Sequence, residues 1–554
     1  MNRLLFYNGR IRTMDSDRPE AECMAVEGER IRYLGDLKGA PGDEEYEKID
    51  LAGRTIMPSF IDAHLHLGMT MDVSLGLDLT ECETVEDYRK KIKEHVRENP
   101  GAEVIKGFGW HDRSFGDKGP DKKILDEIVS HIPVALAADS LHSLWVNSRA
   151  LEMAGINAKT EDLKSGSIER YHDGEPSGVI KEDCMTFISR AIPDYSVDQY
   201  KKVFEEQISY LNTLGFTGFY DAKLEVNSNG IEALKELARE NKLKGYMQCV
   251  YFMYPFMDID KQISSFVEAR KRDNISDGFS VNSVKVMLDG VIESRTGYLK
   301  EPYLDSDGNP GSYRGIAEWE QEDLNKGVFL AMKNGFQVEA HCIGDGALEQ
   351  AIKAFEYAES RGLKGRRNKI SHIELVSDGD TERMKALEIV PCLSPYWAQM
   401  DDLYFAMLDF VGKERADRIW PVNSLIRAGL ICSTGSDYPI TEVPNPFVGI
   451  EIGMTRKIPR SYHPWAVMKP FEAYKQLGPD SEKAGLYDMV KMYTSGSAYS
   501  MHMDHITGSL KTGKNADFII ADKDIFTAPT EEISETKVVS TYFKGRQVYD
   551  ARER

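Results

Sequence analysis

The feature that most constrains the fold is an alternation of helix-like segments with short apolar runs through the middle of the chain. The helix-like segments are 197–214, 231–240, 318–334, 347–361 and 380–387. The apolar runs, each suited to one buried strand, are 104–108, 218–222, 246–251, 283–288, 336–340, 369–375, 389–393 and 430–434. Such alternation is typical of βα units and a parallel sheet. About eight strands over this length predict an α/β fold, a (β/α)8 TIM barrel with large insertions.

The two ends of the chain have a different pattern. Residues 4–14 and 23–34 predict strands, with an Asn8–Gly9 turn that is typical of hairpins. Residues 538–549 predict a second hairpin with a similar sequence. Neither end is long enough to form a core alone. We therefore predict one small β-sandwich built from residues 1–57 and 505–554, with a barrel at 58–504 between them.

One stretch inside the predicted barrel breaks the alternation. Residues 67 to about 200 lack regular βα units and contain a predicted hairpin, 166–180, that turns at Asp173–Gly174. This pattern predicts a large insertion that forms a lid or subdomain.

Composition limits the partners and the compartment. The 554 residues are 41% apolar and carry a formal net charge of −21, which argues against nucleic acid and anionic lipid as partners. The N-terminus has no long apolar segment of a signal peptide, and no run approaches the ~20 apolar residues of a membrane span. The seven cysteines are scattered without a CxxC pair, which favours reduced thiols. We therefore predict a cytoplasmic protein. The net charge does not bear on a small-molecule substrate.

A His-x-His pair follows the apolar residues that would lead into the barrel. Thr55, Ile56 and Met57 precede it, and His64 and His66 end the run. In a strand, residues i and i+2 point to the same face, so both imidazoles could bind one metal. Two unrelated surface histidines would give the same pattern, so the pair alone does not decide.

Further residues of metal-ligand type recur where a barrel would place them. Functional groups of a (β/α)8 barrel lie at the carboxyl ends of its strands. Three candidates end or follow apolar runs in this way: His341, His372 and Asp437. Lys285 lies inside its run, and Asp289, nearer the end of that run, is an alternative ligand or supporting group. Each residue alone could be structural, whereas one metal site explains all of them.

These motifs resemble the amidohydrolase superfamily of metal-dependent hydrolases. The resemblance lies in the split β-sandwich, in residues 57–66 and in Gly435-Ser436-Asp437. Residues 141–151, 284–290 and 339–345 are similar to the YtcJ-like branch, which includes N-substituted formamide deformylases.

The resemblance implies a binuclear metal site with divalent ions, of which zinc is favoured and manganese, iron or cobalt are alternatives. It implies that His64, His66 and Asp437 hold one metal and that His341 and His372 hold the other. Lys285, carboxylated by carbon dioxide, would bridge the two. The implied reaction is attack of a metal-activated hydroxide on an amide or formamide-like carbonyl, with Asp437 moving the proton to the leaving nitrogen. A homodimer is consistent with the superfamily.

Four more residues are candidates for the substrate pocket. Trp110 and His111 follow a predicted strand, and His142 lies in a polar patch that the branch is expected to turn toward the site. Arg295 could bind a substrate carboxylate. Core packing, an ordinary loop position or an ion pair are the structural alternatives.

Two other functions remain open. The first is a mononuclear deaminase of the same superfamily, in which Lys285 would have no bridging role. The second is a regulatory barrel without turnover. The number of bound metals distinguishes the first from a binuclear hydrolase, and failure to bind any divalent metal would favour the second.

Overall fold

The computed structural model describes residues 2–42, 46–111, 114–115, 119–139, 143–164, 166–276, 278–462 and 475–553. Two compact units are found, one formed by Met1–Leu67 with Phe204–Arg554 and the other by Gly68–Val203.

The larger unit contains an eight-stranded parallel sheet, which confirms the predicted barrel class. In chain order its strands are Phe60–Leu65, Phe216–Leu224, Tyr246–Phe252, Phe279–Met287, Gln337–Cys342, Lys369–His372, Val390–Leu393 and Ser433–Thr434. Each strand pairs in parallel with the next. The sheet closes where the Asp437 amide donates to the His64 carbonyl at 2.9 Å and the His66 amide donates to the Tyr438 carbonyl at 2.7 Å.

One apolar run was assigned to the wrong sheet. Residues 104–108 were predicted as a barrel strand, but Ile105–Trp110 pairs with Val134–Ala138 in the smaller unit. The first barrel strand is instead Phe60–Leu65. The error has a physical reason. A parallel strand with both faces covered has the same apolar pattern in either sheet.

Helices connect and cover the barrel strands. They span Val197–Thr213, Asn229–Arg239, Ile259–Asp273, Gln321–Lys333, Asp345–Glu359, Asp380–Ala386, Asp402–Ala416 and Val422–Arg427. Asp402–Ala416 is interrupted at Gly412, whose φ of 76° is not helical. Pro446–Thr455, Leu486–Lys491, the π-helical turn Met492–Gly496 and Ser497–Ser500 follow the last strand. Within the described ranges, no helix is long and apolar enough to cross a membrane.

Strands from both ends of the chain share one sheet. Its spatial order is Arg546–Asp550, Val538–Phe543, Phe518–Ala521, Thr55–Pro58, Arg10–Arg12 and Glu20–Ala21. A second sheet has the order Arg30–Gly35, Cys23–Glu27, Arg3–Tyr7 and Glu47–Asp50. Their common core includes stacked Phe518 and Tyr542, with ring centroids 4.4 Å apart. Pro58 ends the shared-sheet strand, and Phe60 begins the barrel two residues later.

The smaller unit has its own sheet and cores. The strand order is Gly166–Arg170, Pro176–Glu182, Ser143–Val146, Val134–Ala138, Ile105–Trp110 and Leu77–Asp78. Its helices are Thr70–Leu75, Val85–Glu98, Lys122–Asp126, Ser148–Met153 and Met185–Ser189. The antiparallel pairing of Gly166–Arg170 with Pro176–Glu182 confirms the predicted hairpin.

Candidate metal centre

His64 and His66 lie at the carboxyl end of the first barrel strand and meet Asp437 from beyond the last. His64 Nε2 lies 3.2 Å from Asp437 Oδ1, and His66 Nε2 lies 2.9 Å from the same atom. Asp437 has a φ of 60°, and its amide bonds to the His64 carbonyl. The closure of the barrel therefore places the carboxylate against the His-x-His pair. Potential ligand atoms of these three residues all lie within 4.8 Å of one another.

His341 and His372 lie beside this trio. They end the fifth and sixth barrel strands. Their ring centroids are 4.5 Å apart, and the His372 ring lies 4.9 Å from that of His64. Four imidazoles and one carboxylate, distant in sequence, thus converge at one end of the barrel.

Lys285 lies in the barrel interior, where several nitrogen groups contact the carboxylate of Glu339. The Lys285 ammonium donates to Glu339 Oε1 at 3.1 Å and to Ser371 Oγ at 2.9 Å. His64 Nδ1 lies 2.5 Å from the same Glu339 oxygen, and Lys369 Nζ lies 3.5 Å from the other. Burial alone would raise the pKa of Glu339, but the two ammonium groups outweigh it and hold that pKa well below its usual range.

Asp289 has a supporting place. Its buried carboxylate accepts backbone N–H groups from Ile343 at 3.0 Å, Gly344 at 2.8 Å and Tyr298 at 2.9 Å. Asp289 Oδ1 also lies 3.4 Å from His341 Nδ1. Because its oxygens are already engaged by backbone amides, this geometry favours a group that holds the backbone beyond His341 over a direct metal ligand.

The donor set fits a divalent metal. Among the described residues, five buried atoms of this cluster have no hydrogen-bond partner: His64 Nε2, His66 Nδ1, His341 Nδ1, His372 Nδ1 and Asp437 Oδ1. Buried polar atoms are rarely left unpaired, and imidazole and carboxylate are the ligands that zinc and similar ions take. Burial alone would raise the pKa of Asp437, but His64 and His66 outweigh it and hold that pKa well below its usual range, as a ligand carboxylate requires.

The predicted pocket residues are placed less favourably. Trp110 is fully buried in the core of the smaller unit, and its indole N–H donates to the Leu136 carbonyl at 2.9 Å. This placement favours core packing over the predicted aromatic wall. His111 Nδ1 lies 2.6 Å from Asp139 and Nε2 lies 3.0 Å from the Thr80 carbonyl. Both ring nitrogens are therefore already engaged. His142 lies outside the described residues.

Arg295 belongs to the larger unit. Its guanidinium carbon lies 5.7 Å from the ring centroids of Tyr303 and Tyr313 and 5.6 Å from that of Phe410. These are cation–π distances. An ion pair is the structural alternative for Arg295. Within the described part of the chain its guanidinium contacts aromatic rings and no carboxylate.

Sequence reasoning missed two contributors, Glu339 and Trp397. Glu339 lies two residues before His341 on a strand, so both face the barrel interior, and a polar residue at that spacing was a usable signal. Trp397 stacks on His372 with centroids 5.7 Å apart and planes inclined by 11°. No sequence spacing predicts that contact, because the two residues follow different strands.

A family model, two relatives and one solved structure match this chain over most of its length. The family model described as Amidohydrolase family matches residues 47–549. YtcJ of Bacillus subtilis (strain 168) is 27% identical over 558 residues, which cover 99% of each chain. The N-substituted formamide deformylase of Arthrobacter pascens is 25% identical over 565 residues, again 99% of each. An uncharacterised metal-dependent hydrolase from Pyrococcus horikoshii OT3 has 25% identity and a TM-score of 0.73, with 96% of this chain and 99% of that chain covered.

Proposed function

Since the chain belongs to the amidohydrolase family, we propose that it is a metal-dependent hydrolase that cleaves a carbon–nitrogen bond of a small amide or formamide. The family resemblance expected from the sequence motifs is thereby confirmed. The observation that carries the proposal is the convergence of His64, His66, His341, His372 and Asp437, with buried donor atoms that lack hydrogen-bond partners among the described residues. The N-substituted formamide deformylase among its relatives supports the choice of bond.

The residues divide into ligands and supporting groups. His64, His66 and Asp437 would hold one divalent ion, and His341 and His372 would hold a second. Lys285 would join them as a carboxylated bridge after release from Glu339 and Ser371. A bound divalent ion would supply activation of a water molecule and polarisation of the substrate carbonyl.

Asp437 is the group suited to move the proton. The lowered pKa keeps its carboxylate ionised, so that it carries no proton before the reaction. An amine is a poor leaving group unless its nitrogen is protonated, so the same carboxyl group must then act as an acid. His64 Nδ1 is engaged by Glu339, which leaves Nε2 as the ligand atom and fixes the ring.

Purified protein loaded with zinc, manganese or cobalt in bicarbonate buffer should hydrolyse members of a panel of formamides and N-acyl amines. Asp437→Asn should lower the rate by about a thousandfold, within the usual contribution of an acid–base group. His64→Ala should lower it through the loss of a metal ligand. His505→Ala, at an exposed histidine in the described part of the chain, is the matched control and should retain full activity. Full activity in Asp437→Asn would contradict the mechanism.

A one-metal deaminase is the second candidate. It is favoured by the observation that His64, His66 and Asp437 alone bring ligand atoms within 4.8 Å in the described residues, while Lys285 is paired with Glu339. Two metals per chain, together with a carbamate ¹³C signal that disappears in Lys285→Met, would support the binuclear hydrolase. One metal per chain and ammonia release from amino-substituted rings would support the deaminase.

A further inference from the structure

The imidazole of His372 has an aromatic neighbour outside the histidine cluster, the indole of Trp397. His64 is engaged through Nδ1 by Glu339 at 2.5 Å, and His341 Nδ1 faces Asp289 at 3.4 Å. His372 Nδ1 is buried and has no hydrogen-bond partner in the described ranges. The described residues give this ring no hydrogen bond, so its orientation depends on its contacts with other rings.

Trp397 gives His372 a stacked contact, in addition to its edge contacts with the rings of His64 and His341. It lies in the short turn Pro395–Trp397 after the seventh barrel strand. Its indole is nearly parallel to the imidazole, with an interplanar angle of 11° and a centroid distance of 5.7 Å. The indole N–H donates to Thr441 Oγ1 at 3.1 Å, four residues beyond Asp437. One side chain thus links the ends of the sixth, seventh and eighth strands.

The indole is itself held from behind by a buried scaffold. Trp420 packs edge-on against it, with centroids 5.4 Å apart and planes at 67°. The fully buried Arg456 guanidinium donates to the carbonyls of Trp420 at 2.7 Å and Ile419 at 2.8 Å. The Trp420 amide donates to the Glu374 carbonyl at 3.0 Å, two residues beyond His372. Trp397 therefore has little freedom to tilt away from the imidazole.

We infer that Trp397 is a positioning residue that fixes the ring of His372 by stacking. The inference rests on the proposed function where it treats His372 as a metal ligand. The stack itself is independent of any metal. Its consequence is that loss of the indole should loosen one ligand of the set while the barrel remains folded.

Metal binding tests the consequence. Cobalt affinity, measured by chelator competition, should fall about 10–100-fold in Trp397→Leu, the usual effect of removing a group that orients a ligand. The visible cobalt spectrum should change with it. Trp397→Phe keeps a ring and should remain within about threefold of the wild type. Trp145→Leu, a buried tryptophan of the smaller unit, is the control and should bind cobalt as the wild type does. Equal affinity in Trp397→Leu and wild type would overturn the inference, as would equal losses in the Leu and Phe variants.

A metal-free measurement keeps this inference separate from the proposed function. Ring protons above an indole face are shifted upfield, so the His372 ring signal of the apoprotein, assigned with His372→Gln, should move downfield in Trp397→Leu. It should stay in place in Trp145→Leu. An unchanged His372 signal in Trp397→Leu would refute the stack. If the wild type bound no cobalt, the proposed function would fail, and this signal alone would decide the role of Trp397.

Discussion

Two clusters of charged side chains in the larger unit are built in opposite ways. In the terminal sheets, Arg12 donates to both oxygens of Asp524 at 2.6 Å and 3.3 Å, across 512 residues of sequence. Arg12 also pairs with Glu20, and Asp524 also pairs with Arg10. Two cations thus face two carboxylates. The charges balance, and the cluster fastens the two ends of the chain to each other.

In the barrel interior the pairing is incomplete. Glu339 is fully buried between the ammonium groups of Lys285 and Lys369, at 3.1 Å and 3.5 Å, and also contacts His64. Nearby ring nitrogens have no hydrogen-bond partner in the described part of the chain. Buried polar atoms are rarely left without a partner, so a cluster that contains unpaired ring nitrogens is a poor device for stability alone. The contrast indicates that the terminal cluster serves the fold and that the barrel cluster serves a ligand.

Glu339→Gln should produce the largest effect. The amide can still accept from Lys285, but two buried ammonium groups lose their counter-charge. The free energy of unfolding should fall by about 3–5 kcal/mol. Metal affinity should fall about 10–100-fold because His64 loses its charged partner. Urea denaturation and chelator competition measure the two effects. Glu356→Gln, which alters an exposed ion pair of Arg383, is the control. Unchanged metal affinity in Glu339→Gln would show that the barrel cluster does not support metal binding.

Added metal should stabilise the protein through the barrel cluster and not through the terminal cluster. A divalent ion at 100 times its dissociation constant should stabilise the stripped protein by about 2.7 kcal/mol. Thermal unfolding should show this as a rise of a few degrees. The rise should disappear in His64→Ala and persist in Asp524→Asn, because only the first variant loses a ligand. A rise that persists in His64→Ala would place the binding elsewhere.

Asp524→Asn should weaken the terminal sheets without touching the site. Arg12 keeps Glu20 but loses its bidentate partner, so the free energy of unfolding should fall by about 1–3 kcal/mol. Metal affinity should stay at the wild-type level. Urea denaturation with and without metal measures both quantities. A matching loss of metal affinity would show that the two clusters are coupled, which would break the distinction between them.

The fold was predictable where local pattern decides it. Alternating helices and apolar runs predicted the barrel because each βα unit repeats the same periodicities. The pattern failed at 104–108, since a buried parallel strand does not record which sheet it joins. The strand predicted to carry the His-x-His pair, Phe60–Leu65, takes the place of 104–108 in the barrel sheet.

The types of the metal ligands were predictable from the sequence, but the residues that position them were not. His64, His66, His341, His372 and Asp437 follow strand ends, so position alone brings them to one end of a barrel. Asp289 holds backbone amides, and Trp397 stacks on His372. Both contacts depend on how loops from different strands meet. Long-range contacts of this kind leave no periodic signal in one sequence.

The smallest expected effect comes from a third charged cluster, on the outer helices of the barrel. Arg383 pairs with Glu349 at 2.7 Å and with Glu356 at 2.8 Å, and its side chain is 30% exposed. Burial alone would raise the pKa of Glu349, but hydrogen bonds from Lys353 and Arg383 lower it to about 2. The unfolded value is about 4.3. A carboxylate with a lowered folded pKa contributes stability that is complete above the unfolded pKa and is lost as the pH falls toward the folded one.

The Arg383–Glu349 coupling, from a double-mutant cycle of Arg383→Met and Glu349→Gln, should therefore be the same at pH 7 and pH 6 and smaller at pH 3.5. Its size at pH 7 should be at most about 1 kcal/mol, as is usual for accessible pairs, and it should shrink in 1 M salt. A coupling that grew on acidification would contradict the predicted loss of the Arg383–Glu349 interaction at low pH. A coupling of several kcal/mol would mean that exposure does not separate this cluster from the two buried ones.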